Sequence, residues 1–129
     1  MENSATPLIL SVDDDAVLSV HVNSSLKKFY QVVSVNSAEA AFAFLKDKKV
    51  DLIVLDVLMP GMNGLQMYKL LRQDEATANI PVIFLTGSTD EELVEELIKS
   101  GADDFISKPV SPAELLMHVR NQLEKSKKK

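Results

Sequence analysis

The stretch DLIVLDVLMPGMNG, residues 51–64, decides the fold of this chain. It opens with branched apolar side chains, which is typical of a strand buried on both faces, and it ends in a turn that contains proline and glycine. Asp56 lies where the strand gives way to the turn. A buried carboxylate is costly in free energy unless it has partners. Asp56 is therefore a candidate functional residue.

Four more short runs share this β-rich character, and a segment of helical period follows each run. They are LILSV (8–12), VVSV (32–35), VIFLT (82–86) and DFIS (104–107). Alternation of strands and amphipathic helices predicts an α/β fold with a parallel sheet. We therefore expect a doubly wound sheet of five strands with five helices, in the flavodoxin-like order 2-1-3-4-5.

Capping residues support this division of the chain. SPAE, residues 111–114, places a capping serine, a proline and a glutamate as a capping box requires. Ser37, Asn63 and Thr89 are predicted to cap the helices that follow them, and Gly101 is predicted to end the fourth helix.

Length and composition indicate a single globular domain. The chain has 129 residues, 46% of them hydrophobic, and no cysteine. It also lacks an apolar segment of membrane-spanning length and the features of a signal peptide, so we expect a cytoplasmic protein with no membrane contact. The expected organisation is an extended or disordered segment at 1–6, one domain at 7–124 and a basic tail at 125–129.

The charge distribution argues against direct binding of nucleic acid. The net charge is −5, although residues 124–129 carry four lysines and one glutamate, so residues 1–123 are more acidic still. The lysine tail is either a solvated end or a docking element. Likewise, the acidic face of the fourth helix is either solvated or a contact for a basic partner. Its residues are Asp90, Glu91, Glu92, Glu95 and Glu96.

Polar side chains follow the strands at one edge of the predicted sheet. Asp13, Asp14 and Asp15 follow the first strand, and Asp56 and Thr86 end the third and fourth. Lys108 follows the fifth strand. Ligands of doubly wound sheets bind at this edge. In the order 2-1-3-4-5, the first and third strands are neighbours, so Asp13, Asp14 and Asp56 should converge.

Such a cluster needs a proton or a cation. Two carboxylates about 4 Å apart repel by about 4 kcal/mol at an effective dielectric of 20. Oxygen ligands alone favour Mg²⁺ or Mn²⁺ over Zn²⁺. A divalent cation beside a carboxylate, a hydroxyl and an ammonium group is suited to phosphoryl transfer, and Asp56 is a candidate acceptor of phosphate.

With these motifs the chain resembles the receiver domain of two-component response regulators, the CheY-like family. The resemblance rests on ILSVDDD, LDVLMPGMNG, IPVIFLTG and GADDFISKPV, and it covers nearly the whole chain. It implies that Asp56 is the phosphoacceptor and that Lys108 pairs with the phosphoryl group. It also implies that Mg²⁺ is held by Asp13, Asp14, Asp56 and the backbone carbonyl of Leu58. Thr86 and Phe105 would be the switch residues.

The resemblance further implies partners and a mode of action. The phosphoryl donor would be a histidine of a sensor kinase or of a phosphotransfer protein. Phosphorylation would change the surface formed by helix 4, strand 5 and helix 5, which would then act on a downstream protein. The chain would not be an enzyme beyond its own phosphorylation and dephosphorylation. The Lys108–Pro109 peptide bond would be cis.

Several positions leave alternatives open. Leu58 and Ser88 lie where the family modulates phosphate hydrolysis, and Leu58 either hinders the attacking water or only packs. Phe105 lacks the hydroxyl of tyrosine, so it either switches through ring packing or is a static core residue. Asp15 is predicted to place a favourable charge at a helix N-terminus. His21 and His118 are predicted to be surface residues.

Three other functions compete with this interpretation. A haloacid-dehalogenase-like phosphohydrolase would use Asp13 of DDDAV as nucleophile and Asp15 as acid, but it leaves Asp56 unexplained. A nucleotide- or flavin-binding module lacks a glycine-rich phosphate loop here. A receiver-shaped module used only for protein contacts would not need the complete set of polar residues at the sheet edge.

Overall fold

The computed structural model describes residues 6–87, 91–102 and 104–127. The predicted cap at Thr89 and the predictions for Ser88 and Asp90 lie outside these residues, as do most of the segment 1–6 and the end of the tail. None of the described helices combines the length and apolar character that a bilayer-spanning segment needs.

Strands and helices alternate along the whole described chain. The strands are β1 (Leu8–Val12), β2 (Gln31–Val35), β3 (Leu52–Asp56), β4 (Val82–Thr86) and β5 (Phe105–Ser107). The helices are α1 (Ala16–Leu26), α2 (Ala38–Asp47), α3 (Gly64–Gln73), α4 (Glu91–Lys99) and α5 (Pro112–Lys127). All strand pairs are parallel, in the order β2-β1-β3-β4-β5, so the predicted fold and strand order are confirmed.

Helices cover both faces of the sheet. Side chains of successive strand residues point to opposite faces, so β3 contributes Ile53 to one apolar cluster and Val54 to the other. The first cluster joins the sheet to α2, α3 and α4, and the second joins it to α1 and α5. The three central strands are buried almost throughout, whereas the edge strands β2 and β5 are partly exposed.

Side-chain caps begin several helices where the sequence predicts them. Ser37 accepts a hydrogen bond from the backbone N–H of Ala40. Asn63 forms a complete capping box with Gln66 at the start of α3. Ser111 Oγ accepts from the backbone N–H of Glu114 at 3.0 Å. These caps set the first residue of each helix. They therefore also set where the loops after β2, β3 and β5 end, at the carboxyl edge of the sheet.

Candidate functional site

The carboxyl ends of β1 and β3 bring two of the predicted aspartates to one edge of the sheet. Asp56 is the last residue of β3, and Asp13 directly follows β1. The two strands are neighbours, with Val12 paired to Leu55. The Asp13 backbone N–H donates to the Val35 carbonyl at 3.1 Å, which holds the end of β1 against β2. Ordinary strand pairing therefore places both carboxylates.

Three carboxylates converge at this edge. Asp13, Asp14 and Asp56 each offer an oxygen within 4.8 Å of the other two. Asp13 and Asp56 are buried, with 2% and 3% of their surface exposed, whereas Asp14 is exposed. Asp13 Oδ1 accepts from the backbone N–H of Asp15 at 2.9 Å. Asp13 Oδ2 is buried and accepts no hydrogen bond from the described residues.

Lys108 supplies the positive charge of the cluster. Its ammonium nitrogen lies 3.0 Å from Asp56 Oδ1. The contact is an ion pair that joins the loop after β5 to the end of β3. The Lys108 backbone N–H donates to the Thr86 carbonyl at 2.8 Å, and the Lys108–Pro109 bond is cis, as predicted. The loop after β5 thus delivers Lys108 to the end of β3.

Burial raises the pKa values of the two buried carboxyl groups, Asp13 and Asp56. It raises the pKa of Asp13 from 3.8 to about 6, with the charge of Asp56 adding to the rise and the hydrogen bond from the Asp15 N–H opposing it. Burial also raises the pKa of Asp56, while Lys108 opposes that rise. In the absence of a cation, the folded protein therefore holds these carboxylates at a cost in free energy.

This cost predicts a pH dependence of stability. Because the pKa of Asp13 is 3.8 ordinarily and about 6 in the fold, the folded state binds the proton more tightly. Stability from this group is therefore greatest below pH 4 and falls as the pH rises to about 6. We expect the unfolding free energy of the metal-free protein, minus that of an Asp13→Asn variant, to decrease between pH 4 and pH 7. Urea titrations in EDTA measure it, and a constant or rising difference contradicts the prediction.

Gly64 lets α3 begin directly against the end of β3. Its backbone N–H donates to the Val57 carbonyl at 2.8 Å. A Cβ atom at this position would lie 2.8 Å from the Asp56 carbonyl oxygen and 2.9 Å from Val57 Cα, which no side chain tolerates. Gly64 is not among the candidate site residues predicted from the sequence. Its place in the turn GMNG after the apolar strand is the signal that identifies it.

Leu58 lies in the loop between Gly64 and Asp56 and is 48% exposed. It is therefore not a fully buried core residue, and both alternatives for its side chain, hindering the attacking water or only packing, stay predictions. Coordination of a cation by its backbone carbonyl remains a prediction.

Thr86 and Phe105 belong to the two strands beyond β3. Thr86 ends β4, is buried, and lies one residue past Leu85, the register partner of Asp56. Phe105 begins β5 and is half-buried. Its ring stacks on Phe84 with centroids 5.6 Å apart, and Phe84 meets Tyr68 edge to face at 5.4 Å. The two predicted switch residues thus lie on paired strands. Phe105 is the last of three aromatic rings that contact one another in a row, Tyr68, Phe84 and Phe105.

Both predicted surface histidines are partly exposed, and their side chains have specific partners. Each is half-buried and hydrogen-bonded. His21 Nε2 lies 2.6 Å from the Val110 carbonyl, which ties α1 to the loop that carries Lys108. His118 Nδ1 lies 2.6 Å from Oδ1 of the buried Asp104. Helical spacing could not reveal these partners because they are 89 and 14 residues away in sequence.

Asp15 is a helix cap. Its Oδ1 accepts from the backbone N–H groups of Val17 and Leu18 at 2.9 and 3.2 Å. The expected favourable contact with the start of α1 is therefore confirmed, in the form of direct hydrogen bonds. These bonds occupy the carboxylate that the hydrolase alternative would use as its acid, which argues against that alternative.

The acidic cluster suits a hard divalent cation. Its donors are all carboxylate oxygens, and none of the described histidines lies in the cluster. Asp13 Oδ2, buried and without a hydrogen bond from the described residues, is the kind of atom that a cation satisfies. The residues present therefore fit Mg²⁺ or Mn²⁺.

Comparison with a protein-family model matches most of the chain. The family model described as the response regulator receiver domain matches residues 9–120. The phosphate regulon transcriptional regulatory protein PhoB of Pseudomonas aeruginosa is 35% identical over 119 residues, which are 92% of this chain and 52% of PhoB. The chain thus spans about half the length of this relative.

Two solved structures are also similar along most of their length. The receiver domain of a signal transduction histidine kinase from Syntrophus aciditrophicus has a TM-score of 0.86 and 36% identity, with 93% of this chain and 92% of that chain covered. The chemotaxis response regulator CheY4 of Vibrio cholerae has a TM-score of 0.84 and 28% identity, with 92% and 99% covered. In both cases the likeness therefore covers more than nine tenths of this chain.

Proposed function

This chain belongs to the response regulator receiver family, and we propose that it accepts a phosphoryl group on Asp56 from a phosphohistidine donor. The single observation that carries the proposal is the setting of Asp56. It is a buried carboxylate at the carboxyl end of the central strand, 3.0 Å from the Lys108 ammonium and within 4.8 Å of two more carboxylates. A purely structural aspartate would not need this combination of charges.

Asp13, Asp14 and Asp56 would hold Mg²⁺, with the Leu58 carbonyl as a further ligand. When bound, the ion offsets negative charge on the phosphoryl oxygens and on the carboxylates. Mn²⁺ has the same preference for oxygen ligands and is expected to substitute.

The proposed reaction is an in-line transfer to the Asp56 carboxylate. A carboxylate oxygen of Asp56 attacks phosphorus, forming an O–P bond as the N–P bond to the donor histidine breaks, and the electron pair leaves with the histidine nitrogen. Lys108 is placed to neutralise charge on the transferred group, and Thr86 can donate a hydrogen bond from its hydroxyl. The chain's own chemistry would be limited to this acceptance and to the later hydrolysis of the acyl phosphate.

Phosphorylation would then select one conformation of the edge strands. The acyl phosphate adds a charge of about −1.5 to −2 and strong acceptor oxygens, which favour the loop arrangement in which Thr86 and Lys108 reach it. Movement of Thr86 on β4 would free space for Phe105 on β5. The surface formed by α4, β5 and α5 would change as a result, and it would contact a downstream protein.

The partners of the chain would therefore be proteins. They would be a sensor histidine kinase or a histidine phosphotransfer protein as donor, and a downstream protein as effector. The relative PhoB is named a transcriptional regulator, but this chain covers only 52% of it. For the chain itself we propose no direct contact with nucleic acid or membrane, and a cytoplasmic location.

Transfer from a phosphohistidine protein tests the proposal. The chain is mixed with a histidine phosphotransfer protein that carries a radioactively labelled phosphoryl group on its histidine, in Mg²⁺ or in EDTA. The amount of label on each protein is then followed over time. We expect label to move to the chain in Mg²⁺ and at least about 100-fold more slowly in EDTA. Release of free phosphate with no labelled chain at any time would instead support a hydrolase. Retention of all label on several such donors would support a contact module.

A further inference from the structure

A second site lies at the opposite end of the sheet from Asp56. A cavity of about 290 Å³ opens beside the first residue of β4, between the last turns of α3 and α5. Its polar lining residues are Tyr68, Arg72, Asn79, Gln122, Lys125 and Ser126. The receiver chemistry described above uses none of these residues.

Arg72 is the charged group of this cavity. It is half-buried, and within the described part of the chain it forms no ion pair with a carboxylate. One terminal nitrogen donates to the Thr77 carbonyl at a long 3.4 Å, and the guanidinium carbon lies 4.6 Å from the centroid of the Tyr68 ring. A guanidinium has five N–H donors in a fixed plane, so most of its donors remain for a ligand.

Two neutral polar side chains accompany this charge. Tyr68 and Gln122 are only 4% and 9% exposed. No described residue forms a hydrogen bond with the Tyr68 hydroxyl or the Gln122 amide. The hydroxyl lies near Gly101, where a Cβ atom would be 3.8 Å away, so this glycine leaves the cavity open beside it. The polar ends of Tyr68 and Gln122 are not among the buried atoms that lack a partner, so water in the cavity can reach them and a bound ligand can replace that water.

The charge and size of the cavity define the ligand class. Its described lining contains an arginine and a lysine but no carboxylate, in a chain whose net charge is −5. A volume of about 290 Å³ is at the lower limit of small-molecule sites, which favours a small ligand. We propose that this cavity binds a small dianion, a phosphate monoester or a dicarboxylate, with Arg72 as a bidentate anchor and with Tyr68 and Gln122 as hydrogen-bond donors.

Titration of the ¹⁵N-labelled chain tests this site directly. Inorganic phosphate and succinate are the probes, glycerol is the neutral control, and EDTA keeps divalent cations from the aspartate cluster. We expect saturable shifts of the Tyr68, Gly101 and Gln122 amide signals with at least one of the two anions and none with glycerol. The probe with the lower Kd assigns the ligand class. Shifts that stay linear with concentration, or that spread over exposed lysines, overturn the proposal.

Matched variants separate a specific site from general attraction of anions. Arg72→Gln should weaken the binding of the probe by about tenfold or more, the usual effect of losing hydrogen bonds to a charged group. Lys69→Gln makes the same change of charge on the exposed face of α3 and should leave the Kd unchanged. Tyr68→Phe keeps the ring and should weaken binding several-fold through the lost hydroxyl, so it serves if Arg72→Gln does not fold. Equal effects of the two charge variants, or an unchanged Kd in Tyr68→Phe and Arg72→Gln, refute the site.

Discussion

Replacing Asp56 with asparagine is expected to abolish the stable phosphoryl adduct. The amide has nearly the shape of the carboxylate but is a far weaker nucleophile, so no acyl phosphate can form. Because Asp56 is buried beside two other carboxylates and its pKa is raised by burial, removal of its charge should not unfold the protein. The measurement is incorporation of label from acetyl phosphate in Mg²⁺, together with a urea titration of each protein. Labelling of Asp56→Asn at the wild-type rate would contradict the assignment.

Asp51→Asn is the matched control for this variant. Asp51 precedes the same strand at its opposite end, is exposed, and accepts a hydrogen bond from the Leu8 backbone N–H at 2.8 Å. An asparagine oxygen can accept the same bond. We expect this variant to be labelled as fast as the wild type, which would show that loss of labelling is specific to the carboxyl end of β3.

Replacing Asp13 with asparagine is expected to separate stability from cation binding. The variant removes one of three converging charges and should stabilise the metal-free protein by about 3 kcal/mol above pH 7, on the basis of the pKa raised from 3.8 to about 6. The same change should weaken Mg²⁺ binding by about 100-fold or more, because it removes one of the proposed ligands. Urea titrations in EDTA and calorimetric titration with Mg²⁺ measure the two effects.

Asp15→Asn controls for the neighbouring charge. Asp15 belongs to the same run of acids, but its carboxylate caps α1, and asparagine is an equally good capping residue. We expect the free energy of unfolding of this variant to stay close to that of the wild type. We expect its dissociation constant for Mg²⁺ to stay within about twofold of the wild-type value. If Asp15→Asn lost Mg²⁺ as strongly as Asp13→Asn, the ligand set would be wrong.

The fold could be predicted from the sequence because its signals are local. The apolar runs of β1 and β4 have the same bounds in sequence and structure, β3 ends at Asp56 as predicted, and β2 and β5 differ by one residue at their starts. The edge strands are partly exposed, so their apolar runs carry a weaker signal. The converging aspartates followed from strand order alone, since parallel strands end at one edge.

Other features depend on contacts that sequence spacing does not encode. The Asp104–His118 and His21–Val110 contacts join distant elements, so a helical pattern gave no sign of them. The cavity beside Arg72 requires α3, β4 and α5 to meet, and its polar residues look like ordinary surface residues when each is taken alone. Gly64 marks a close backbone approach that becomes evident only once α3 is placed against β3.

The most direct test of the central claim is to locate the acyl phosphate on the wild-type chain. The protein is incubated with acetyl phosphate in Mg²⁺ or in EDTA, reduced with borohydride to trap the phosphorylated carboxyl group, and digested for peptide mass spectrometry. We predict one modified residue, Asp56, formed in Mg²⁺ and nearly absent in EDTA. Modification at Asp13 or Asp14, or equal modification of Asp56 without a divalent cation, would contradict a cation-dependent transfer to the end of the central strand.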